Sequence, residues 1–551
     1  MAHNHEQEPN MSHAPWWRDA VCYQIYVRSF ADSDGDGVGD LAGVTSRLAY
    51  LVDLGVDAVW LTPFYRSPQA DHGYDVADYC DVDPMFGDLA AFDELSEQAR
   101  ELGLKVIVDI VPNHSSDRHA WFQAALQSPP GSSERARYVF RDGRGDGSTP
   151  PTNWLSVFGG PAWTRVLDGQ WYLHLFDAGQ PDFDWTHPEV GDEFERVLRF
   201  WLDRGVDGFR IDVANALVKA DGLPDLTAEQ LRAERSADEV DRTLSESSRP
   251  YNDQPGVHDV YRRWHRVLAD YPGDRMAIAE AWVGSAESMA RYVRCDELQQ
   301  AFNFHWLQAE WSAEAMRGVV RQTFAATDPV GAFPTWVLSN HDVVRTVTRY
   351  GAGEQGLARA RAALLAMLAL PGSAYLYQGE ELGLPQVAVA ESDRQDPVWL
   401  RGGGVGRDGC RVPLPWAAAG PTFGFSPDGA AVPWLPQPSG WGGWSVETQR
   451  GSADSTWALV REALRLRHEI VPGLVDSVTM PDDVPSGAFV VTRSGVDGPG
   501  LVSVVACGPD VVDLAGLGLD ADAPLLVSRK EAIAGGVLRA DAAAWFRTAR
   551  V

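Results

Sequence analysis

The sequence predicts a (β/α)8 TIM barrel with a loop-rich inserted domain after its third strand and an antiparallel β-sandwich domain at its C-terminal end. Two observations predict this fold. Eight short apolar segments alternate with amphipathic segments along most of the 551 residues, and shorter alternating runs follow residue 470. Because continuous apolar strands that alternate with helices indicate a parallel sheet, eight such units predict a closed barrel.

The predicted barrel elements follow two patterns. Each strand is a short apolar run, and the eight runs cover residues 21–30, 57–64, 105–114, 208–215, 276–282, 301–306, 335–342 and 373–381. The clearest helices have apolar residues near every 3.6 positions and a glycine at or after the end, and they cover 89–103, 189–205, 259–273 and 356–372. This order assigns residues 15–114 and 191–470 to the barrel.

Three long segments interrupt the alternation, and each follows a predicted strand. Residues 115–190 are rich in Gly, Pro and Trp and form the inserted domain; residues 217–257 are acidic and polar, and residues 382–416 are loop-like. In a barrel, all three rise from the carboxyl edge of the strands, where active sites are built. Residues 471–551 carry short alternating runs and form the predicted β domain.

Composition excludes several classes of function. The net charge of −30 argues against binding to nucleic acid or to an anionic membrane surface. No uncharged apolar stretch reaches about 18–20 residues, so no membrane span is predicted. Five scattered cysteines without C-x-x-C spacing indicate reduced thiols, and no signal peptide is recognisable, so we expect a cytoplasmic protein. The oligomeric state is left open.

Polar residues follow four of the predicted strands at the point where each apolar run ends. These residues are Asp109, Asn113, His114, Arg210, Asp212, Glu280, Asn340, His341 and Asp342. A lone Arg-x-Asp pair is more often a structural ion pair than a site. Four strands that end in this way place their polar groups on one edge of the barrel, which favours a shared pocket.

The residue types of this pocket indicate glycoside hydrolysis. One carboxylate acts as nucleophile and a second protonates the leaving group. Asp212 suits the first role because the guanidinium of Arg210 favours its ionised form, and Glu280 suits the second because its apolar neighbours in "AIAEAW" favour the protonated form. A separation of roughly 5–5.5 Å between the two carboxyl groups would predict retention of configuration.

A glycine-rich acidic turn, "DSDGDGVGD", lies at residues 32–40. It offers Asp32, Asp34, Asp36 and Asp40, but position twelve is Gly43 rather than Glu, so the turn is no EF-hand. Hard oxygen ligands at this spacing suit Ca²⁺, and the alternative is a solvated acidic turn without an ion.

The strand ends resemble the α-amylase superfamily, glycoside hydrolase family 13. "DIVPNH", "GFRIDVAN", "AIAEAW" and "VLSNHD" match four motifs of that family in order, and "QPDFDW" at 180–185 is similar to a fifth in the inserted domain. With "HGYDVADY" and the segment that includes the acidic turn, the resemblance covers residues 16–550. It implies an α-glucosidase related to oligo-1,6-glucosidase rather than an endo-acting amylase.

The resemblance implies a role for each matching residue. Asp212 is the nucleophile, Glu280 the acid/base and Asp342 a third carboxylate that binds sugar hydroxyls. The implied substrate-binding residues are Asp71, Tyr74, His114, Arg210, His341, Phe158, Phe176, Gln180 and Val213. In exo-acting members an Arg of a late loop pairs with the residue equivalent to Asp71, and in "GRDGCRVP" Arg411 is favoured over Arg407 because it directly precedes the x-Pro step. The family also implies a structural Ca²⁺ in the acidic turn, with Val38 as a carbonyl ligand.

Three functions are alternatives for a chain with these motifs. The leading hypothesis is a retaining exo-α-glucosidase that releases α-glucose from the non-reducing ends of short oligosaccharides. A transglucosylase, or a sucrose-hydrolysing or isomerising enzyme, differs only in what intercepts the glucosyl-enzyme. A catalytically inactive binding protein of this fold would carry a membrane segment and lack some carboxylates, and this chain shows neither feature. Val213 resembles oligo-1,6-glucosidases, but "QPDFDW" and "RVPLPW" depart from the family pattern, so the linkage preference stays open.

Overall fold

The computed structural model of the chain describes residues 14–236, 249–402 and 404–548. Eight parallel strands form one sheet, in which the first six pair with their neighbours along the chain and the eighth pairs with both the first and the seventh. They are β1 Val21–Ile25, β2 Ala58–Leu61, β3 Lys105–Ile110, β4 Gly208–Ile211, β5 Met276–Ala279, β6 Gln300–Ala301, β7 Thr335–Val337 and β8 Ser373–Tyr377. A single parallel bridge between Asn303 and Trp336 joins the sixth and seventh units. The predicted barrel is confirmed.

Eight helices surround the strands. They are α1 Leu41–Leu54, α2 Leu89–Glu101, α3 Pro188–Asp203, α4 Val257–Ala269, α5 Ala286–Arg291, α6 Ala313–Thr327, α7 Gly353–Ala369 and α8 Thr456–Ile470. Local chemistry sets their ends: the Asp40 carboxylate caps α1 by accepting from the backbone N–H of Gly43. Gly55 ends the same helix with a φ of 97°, a conformation that glycine adopts without steric cost.

The sixth predicted strand is mostly wrong. The apolar run 301–306 predicts a strand, whereas β6 stops at Ala301 and Phe304–Gln308 is helical. The Asn303 side chain accepts a hydrogen bond from the N–H of Trp306 and so caps this short helix. An apolar run this short is compatible with a strand or a helix, and the cap by Asn303 favours the helix.

The segments that follow β3, β4 and β8 contain short elements of their own. After β3 come the helices Ala120–Gln127 and Ser133–Ala136 and an antiparallel sheet of Phe140–Asp142, Gln170–Leu173 and Trp163–Arg165. After β4 comes the helix Ala228–Ser236, and part of the predicted insertion 217–257 lies outside the described residues. After β8 come the helices Pro397–Leu400, Asp408–Arg411 and Val446–Arg450.

The remaining short elements connect these parts. A two-stranded ladder joins Tyr65–Arg66 to Asp78–Val82, and a helix of four residues covers Thr346–Arg349. The 3-10 helices are Val27–Ser29, Asp328–Val330, Glu391–Asp393, Trp441–Trp444, Val471–Gly473 and Ala515–Leu517.

The C-terminal region contains two antiparallel sheets. One is formed by Ala488–Arg493, Leu501–Ala506, Ala542–Arg547 and Leu526–Val527, and the other by Val512–Asp513, Val537–Leu538 and Ile533–Ala534. Successive side chains of the first sheet point to opposite faces. Phe489 and Trp545 pack in the core cluster of the barrel, whereas Val490 and Phe546 pack in a separate cluster. The indole of Trp545 donates to the carbonyl of Leu365 in α7, so the sheet is attached to the barrel wall.

Within the described ranges, no helix combines the length and the apolar character that crossing a membrane requires.

Candidate active site

Arg210 lies buried at the carboxyl end of β4 and contacts three carboxylates. Its Nη1 donates to Asp109 Oδ1 and to Asp212 Oδ1, each at 2.8 Å, and its Nη2 lies 2.6 Å from Glu280 Oε2. The strand register explains the first contact, because Asp109 of β3 is the direct neighbour of Arg210. Arg210 and Asp212 share a face of the chain because they are two residues apart. The candidate nucleophile and the candidate acid therefore share one cation.

The charges of this group are closely balanced. Burial raises the pKa of Asp212 well above its ordinary value; Arg210 opposes this shift, and Glu280 and Asp109 add to it. Burial likewise raises the pKa of Asp109, to about 7, against the effect of Arg210. Arg210 was expected to keep Asp212 ionised. The contact is present, but burial and the neighbouring carboxylates outweigh it, so Asp109 and Asp212 hold a proton more readily than isolated acids do.

Glu280 has polar partners, contrary to the apolar setting expected from its sequence neighbours. Besides Arg210, its carboxylate accepts from the backbone N–H of Val213 at 3.0 Å and from the indole of Trp282 at 3.3 Å. Alanines flank Glu280 in the chain. The groups that contact its carboxylate are instead Arg210 and Val213, at the end of the neighbouring strand β4, and Trp282, two residues after Glu280. Val213 has a φ of 45°, which is strained for a β-branched residue and aims its N–H at Glu280.

Asp342 lies five residues after β7 and contacts two arginines and a histidine. Its Oδ1 accepts from Arg407 Nη1 at 3.0 Å and from Arg411 Nη2 at 2.8 Å. His341 Nε2 lies 3.2 Å from Asp342 Oδ2. Burial alone would raise the pKa of Asp342, but His341, Arg407 and Arg411 outweigh burial and hold it well below its ordinary value. Asp342 is therefore ionised.

Arg407, rather than Arg411, pairs with Asp71, so the sequence-based choice was wrong. Arg407 Nη2 donates to Asp71 Oδ1 at 2.9 Å, and its Nε donates to Asp396 Oδ2 at 2.7 Å. Arg411 lies one turn further along the helix Asp408–Arg411 and is buried behind Asp342, where its Nε donates to the carbonyl of His341. Arg411, which directly precedes the x-Pro step, therefore supports Asp342, whereas Arg407 pairs with Asp71.

Tyr74, His114 and Gln180 form a hydrogen-bonded wall. The Tyr74 hydroxyl donates to Asp109 Oδ2 at 3.1 Å, and the Tyr74 ring stacks on His341 with centroids 5.3 Å apart. Gln180 Nε2 lies 3.2 Å from Asp71 Oδ2 and 3.1 Å from His114 Nε2. Burial lowers the pKa of His114 to about 4, and it also lowers that of His341 well below the ordinary value. Both imidazoles are therefore neutral at pH 7.

One cavity of about 1090 Å³, including its open mouth, collects most of the predicted residues. Ten of them line it: Asp71, Tyr74, His114, Phe158, Phe176, Asp212, Val213, Glu280, His341 and Asp342. The remaining three, Gln180, Arg210 and Arg411, lie behind the lining and contact it. All three catalytic candidates thus face the same space.

Several lining residues were not predicted. They are Leu155, Val157, Asn215, Glu234, Tyr251, Trp282, Val343 and Arg407. Asn215 and Trp282 belong to the quoted strand-end motifs, so their positions three residues after Asp212 and two residues after Glu280 carried a signal. The others come from the segments after β3, β4 and β7 and from the loop after β8. No periodic pattern in these segments indicates which side chains face the cavity.

The acidic turn gathers three of its four aspartates. Carboxylate oxygens of Asp32, Asp34 and Asp40 lie within 4.8 Å of one another. Backbone N–H groups orient them, since Gly35 and Gly37 donate to Asp32. The same group does not include Asp36, whose carboxylate accepts from the backbone N–H of Val38 at 2.8 Å. Among the described residues, no arginine or lysine forms a salt bridge with these aspartates.

Comparison with known proteins gives consistent matches. A family model described as "Alpha amylase, catalytic domain" matches residues 24–475. A probable alpha-glucosidase of Rhizobium meliloti (strain 1021) is 40% identical over 445 residues, which are 76% of this chain and 77% of the relative. The oligo-1,6-glucosidase of Parageobacillus thermoglucosidasius is 32% identical over 506 residues, 85% of this chain and 86% of the relative. The crystal structure of the alpha-glucosyl transfer enzyme XgtA is 39% identical with a TM-score of 0.86, covering 97% of this chain and 100% of that one.

The shared cation generates a prediction about stability. Arg210→Met removes the guanidinium from three buried carboxylates, and we expect the free energy of unfolding to fall by about 3–5 kcal/mol. Without Arg210 the pKa values of Asp109 and Asp212 rise further above those of the unfolded chain, so the folded state binds more protons. Stability then falls as pH rises, and the loss is larger at about pH 8 than at about pH 5.

Urea unfolding at the two pH values measures this difference. Arg66→Met is the matched control, because Arg66 forms an exposed pair with Asp81 and such pairs contribute little. A loss for Arg210→Met that is equal at both pH values, or larger at the lower one, contradicts the role given to Arg210.

Proposed function

Because this chain belongs to the α-amylase family, glycoside hydrolase family 13, we propose that it is a retaining, exo-acting α-glucosidase. It releases α-glucose from the non-reducing ends of short α-glucosides. The observation that carries this proposal is that Asp212 and Glu280 face one cavity and contact one guanidinium. Two carboxyl groups that flank a single bond are what double displacement requires.

The mechanism has two steps. Ionised Asp212 attacks the anomeric carbon while protonated Glu280 gives its proton to the glycosidic oxygen, so the bond between that carbon and that oxygen breaks and a glucosyl–Asp212 ester forms. Glu280, now a carboxylate, then takes a proton from water, which attacks the anomeric carbon and displaces Asp212. Two inversions leave α-glucose. The guanidinium of Arg210 lowers the pKa of Asp212 against the effect of burial and so supports the ionised form that the attack requires.

Exo action depends on the closed end of the cavity. Arg407 contacts both Asp71 and Asp342, and Gln180 links Asp71 to His114. One glucose binds here through its hydroxyls. Ionised Asp342 accepts hydrogen bonds from them, and the neighbouring amide and imidazole groups donate hydrogen bonds to them. A second sugar beyond that glucose would meet the Asp71–Arg407 pair, so only a non-reducing end fits.

Transglucosylation is the alternative outcome of the same chemistry. If a sugar hydroxyl rather than water is deprotonated by Glu280, the glucosyl group passes to that sugar. The likeness to XgtA, an alpha-glucosyl transfer enzyme, favours testing this outcome beside hydrolysis. The same intermediate would serve sucrose hydrolysis or isomerisation.

Product anomers test the proposed function. We expect incubation with maltose, isomaltose, sucrose or p-nitrophenyl α-glucoside to release α-glucose first, followed by slow mutarotation, in proton NMR spectra recorded within the first minutes. Transfer products would appear as new anomeric signals that grow with sugar concentration. Prompt release of β-glucose would refute the retaining mechanism, and products longer than glucose from the non-reducing end would refute exo action.

The acidic turn after β1 is a proposed Ca²⁺ site. Its carboxylate oxygens, already gathered at Asp32, Asp34 and Asp40, are hard ligands of the kind that Ca²⁺ prefers, and Asp36 and the carbonyl of Val38 would complete the set. None of the residues of the turn lines the cavity. When bound, the ion would crosslink the turn and stabilise the fold, and it takes no part in either chemical step.

Thermal and chemical unfolding with and without Ca²⁺ test this site. At a free Ca²⁺ concentration about 100 times Kd, we expect a stabilisation of about 2.7 kcal/mol relative to the chelated protein. Asp34→Asn should weaken this response, and Asp81→Asn, at an exposed aspartate outside the turn, should not. The same unfolding curve with EGTA and with Ca²⁺ would refute the proposal.

A cytoplasmic location is proposed on the chemistry of the cysteines. All five are unpaired in the structure, and three of them, Cys22, Cys410 and Cys507, are buried. Thiols that remain reduced are typical of cytoplasmic proteins.

A further inference from the structure

Glu234 places a carboxylate in the wall of the catalytic cavity, and neither catalytic step uses it. It lies on the helix Ala228–Ser236, in the segment after β4. Its Oε1 lies 2.9 Å from Arg249 Nε and also accepts a hydrogen bond from the Tyr251 hydroxyl. Its side chain is 9% exposed. Both of these contacts are made to Oε1, and the side chain lines the cavity.

The surrounding contacts locate Glu234 on the Glu280 side of the cavity. Asn252, which follows Tyr251, accepts from Asn215 and donates to the carbonyl of Trp282 at 3.4 Å. Asn215 lies three residues after Asp212 in the chain, and Trp282 lies two residues after Glu280. By contrast, the closed end of the cavity is built from Asp71, Gln180 and Arg407, which contact none of these residues in the described hydrogen bonds.

Leu226 and Tyr251, on either side of the helix in the chain, contact the inserted domain. Asn153 of the inserted domain exchanges two hydrogen bonds with Leu226, at 2.8 and 2.9 Å. Tyr251 packs edge-on against Trp154, with ring centroids 5.0 Å apart. Because Leu231 packs in the same apolar cluster, three residues before Glu234 on the helix, the face that carries both residues is turned toward the cavity.

We infer that Glu234 is a specificity-determining residue that binds hydroxyl groups of the sugar on the leaving-group side of the scissile bond. This inference rests on the proposed function, in which the departing sugar lies beside Glu280. A carboxylate held by an arginine and a tyrosine is a preorganised acceptor for the adjacent hydroxyls of a sugar. The same residue would receive a sugar acceptor during transfer. An aryl leaving group has no hydroxyls to donate and makes no such bonds.

The experiment compares two substrates that share the glucosyl group and differ in the leaving group. For Glu234→Gln, which keeps the shape and removes the charge, we expect the ratio of kcat/KM for maltose to kcat/KM for p-nitrophenyl α-glucoside to fall roughly 10- to 100-fold. Glu229→Gln is the matched control, since Glu229 is exposed on the same helix and does not line the cavity. Its ratio should equal that of the unmodified enzyme.

A ratio for Glu234→Gln within about threefold of the unmodified enzyme, or an equal fall for both variants, overturns the inference. Tyr251→Phe removes one of the two groups that hold Glu234, so it should lower the same ratio to a smaller extent, and it replaces Glu234→Gln if the latter does not fold. Failure of the proposed function is distinguished beforehand, because the unmodified enzyme would then release no α-glucose from the aryl substrate.

Discussion

The burial of one guanidinium among three carboxylates is the constraint on which the site depends. Arg210 can compensate Asp109, Asp212 and Glu280 only while β3, β4 and β5 keep their register, since each acid comes from a different strand or strand end. A buried carboxylate without its partner destabilises the fold by several kcal/mol. The need for charge compensation therefore holds the nucleophile and the acid together before any substrate binds.

The barrel supplies the reacting groups, and the segments that rise from its carboxyl edge supply the shape of the cavity. Phe158, Phe176 and Gln180 come from the segment after β3, Glu234 and Tyr251 from the segment after β4, and Arg407 from the loop after β8. Rigid strands suit chemistry that requires fixed distances, and loops suit recognition, because they can change without disturbing the strands. The catalytic centre and the specificity of this protein are thus encoded in different parts of the chain.

Strand-end residues were predictable because periodicity locates strands and parallel strands share an edge. This reasoning predicted that Asp212, Glu280 and Asp342 share one pocket, and all three line the same cavity. Contacts between distant segments were not predictable. The local alanines of Glu280 suggested an apolar setting, although Arg210 and the N–H of Val213 reach it from the next strand. The choice of Arg411 over Arg407 failed in the same way, because the order of residues in a loop does not determine which side chain reaches Asp71.

Covalent trapping tests most directly the claim that Asp212 and Glu280 act on a single sugar. 5-Fluoro-α-glucosyl fluoride carries a good leaving group and a substituent that slows hydrolysis of the ester, so the glucosyl-enzyme accumulates. The account predicts one label per chain, found by peptide mass spectrometry on Asp212, and no label in Asp212→Asn. A label on Glu280 or on another carboxylate, or turnover of the reagent by Asp212→Asn at the normal rate, would contradict it.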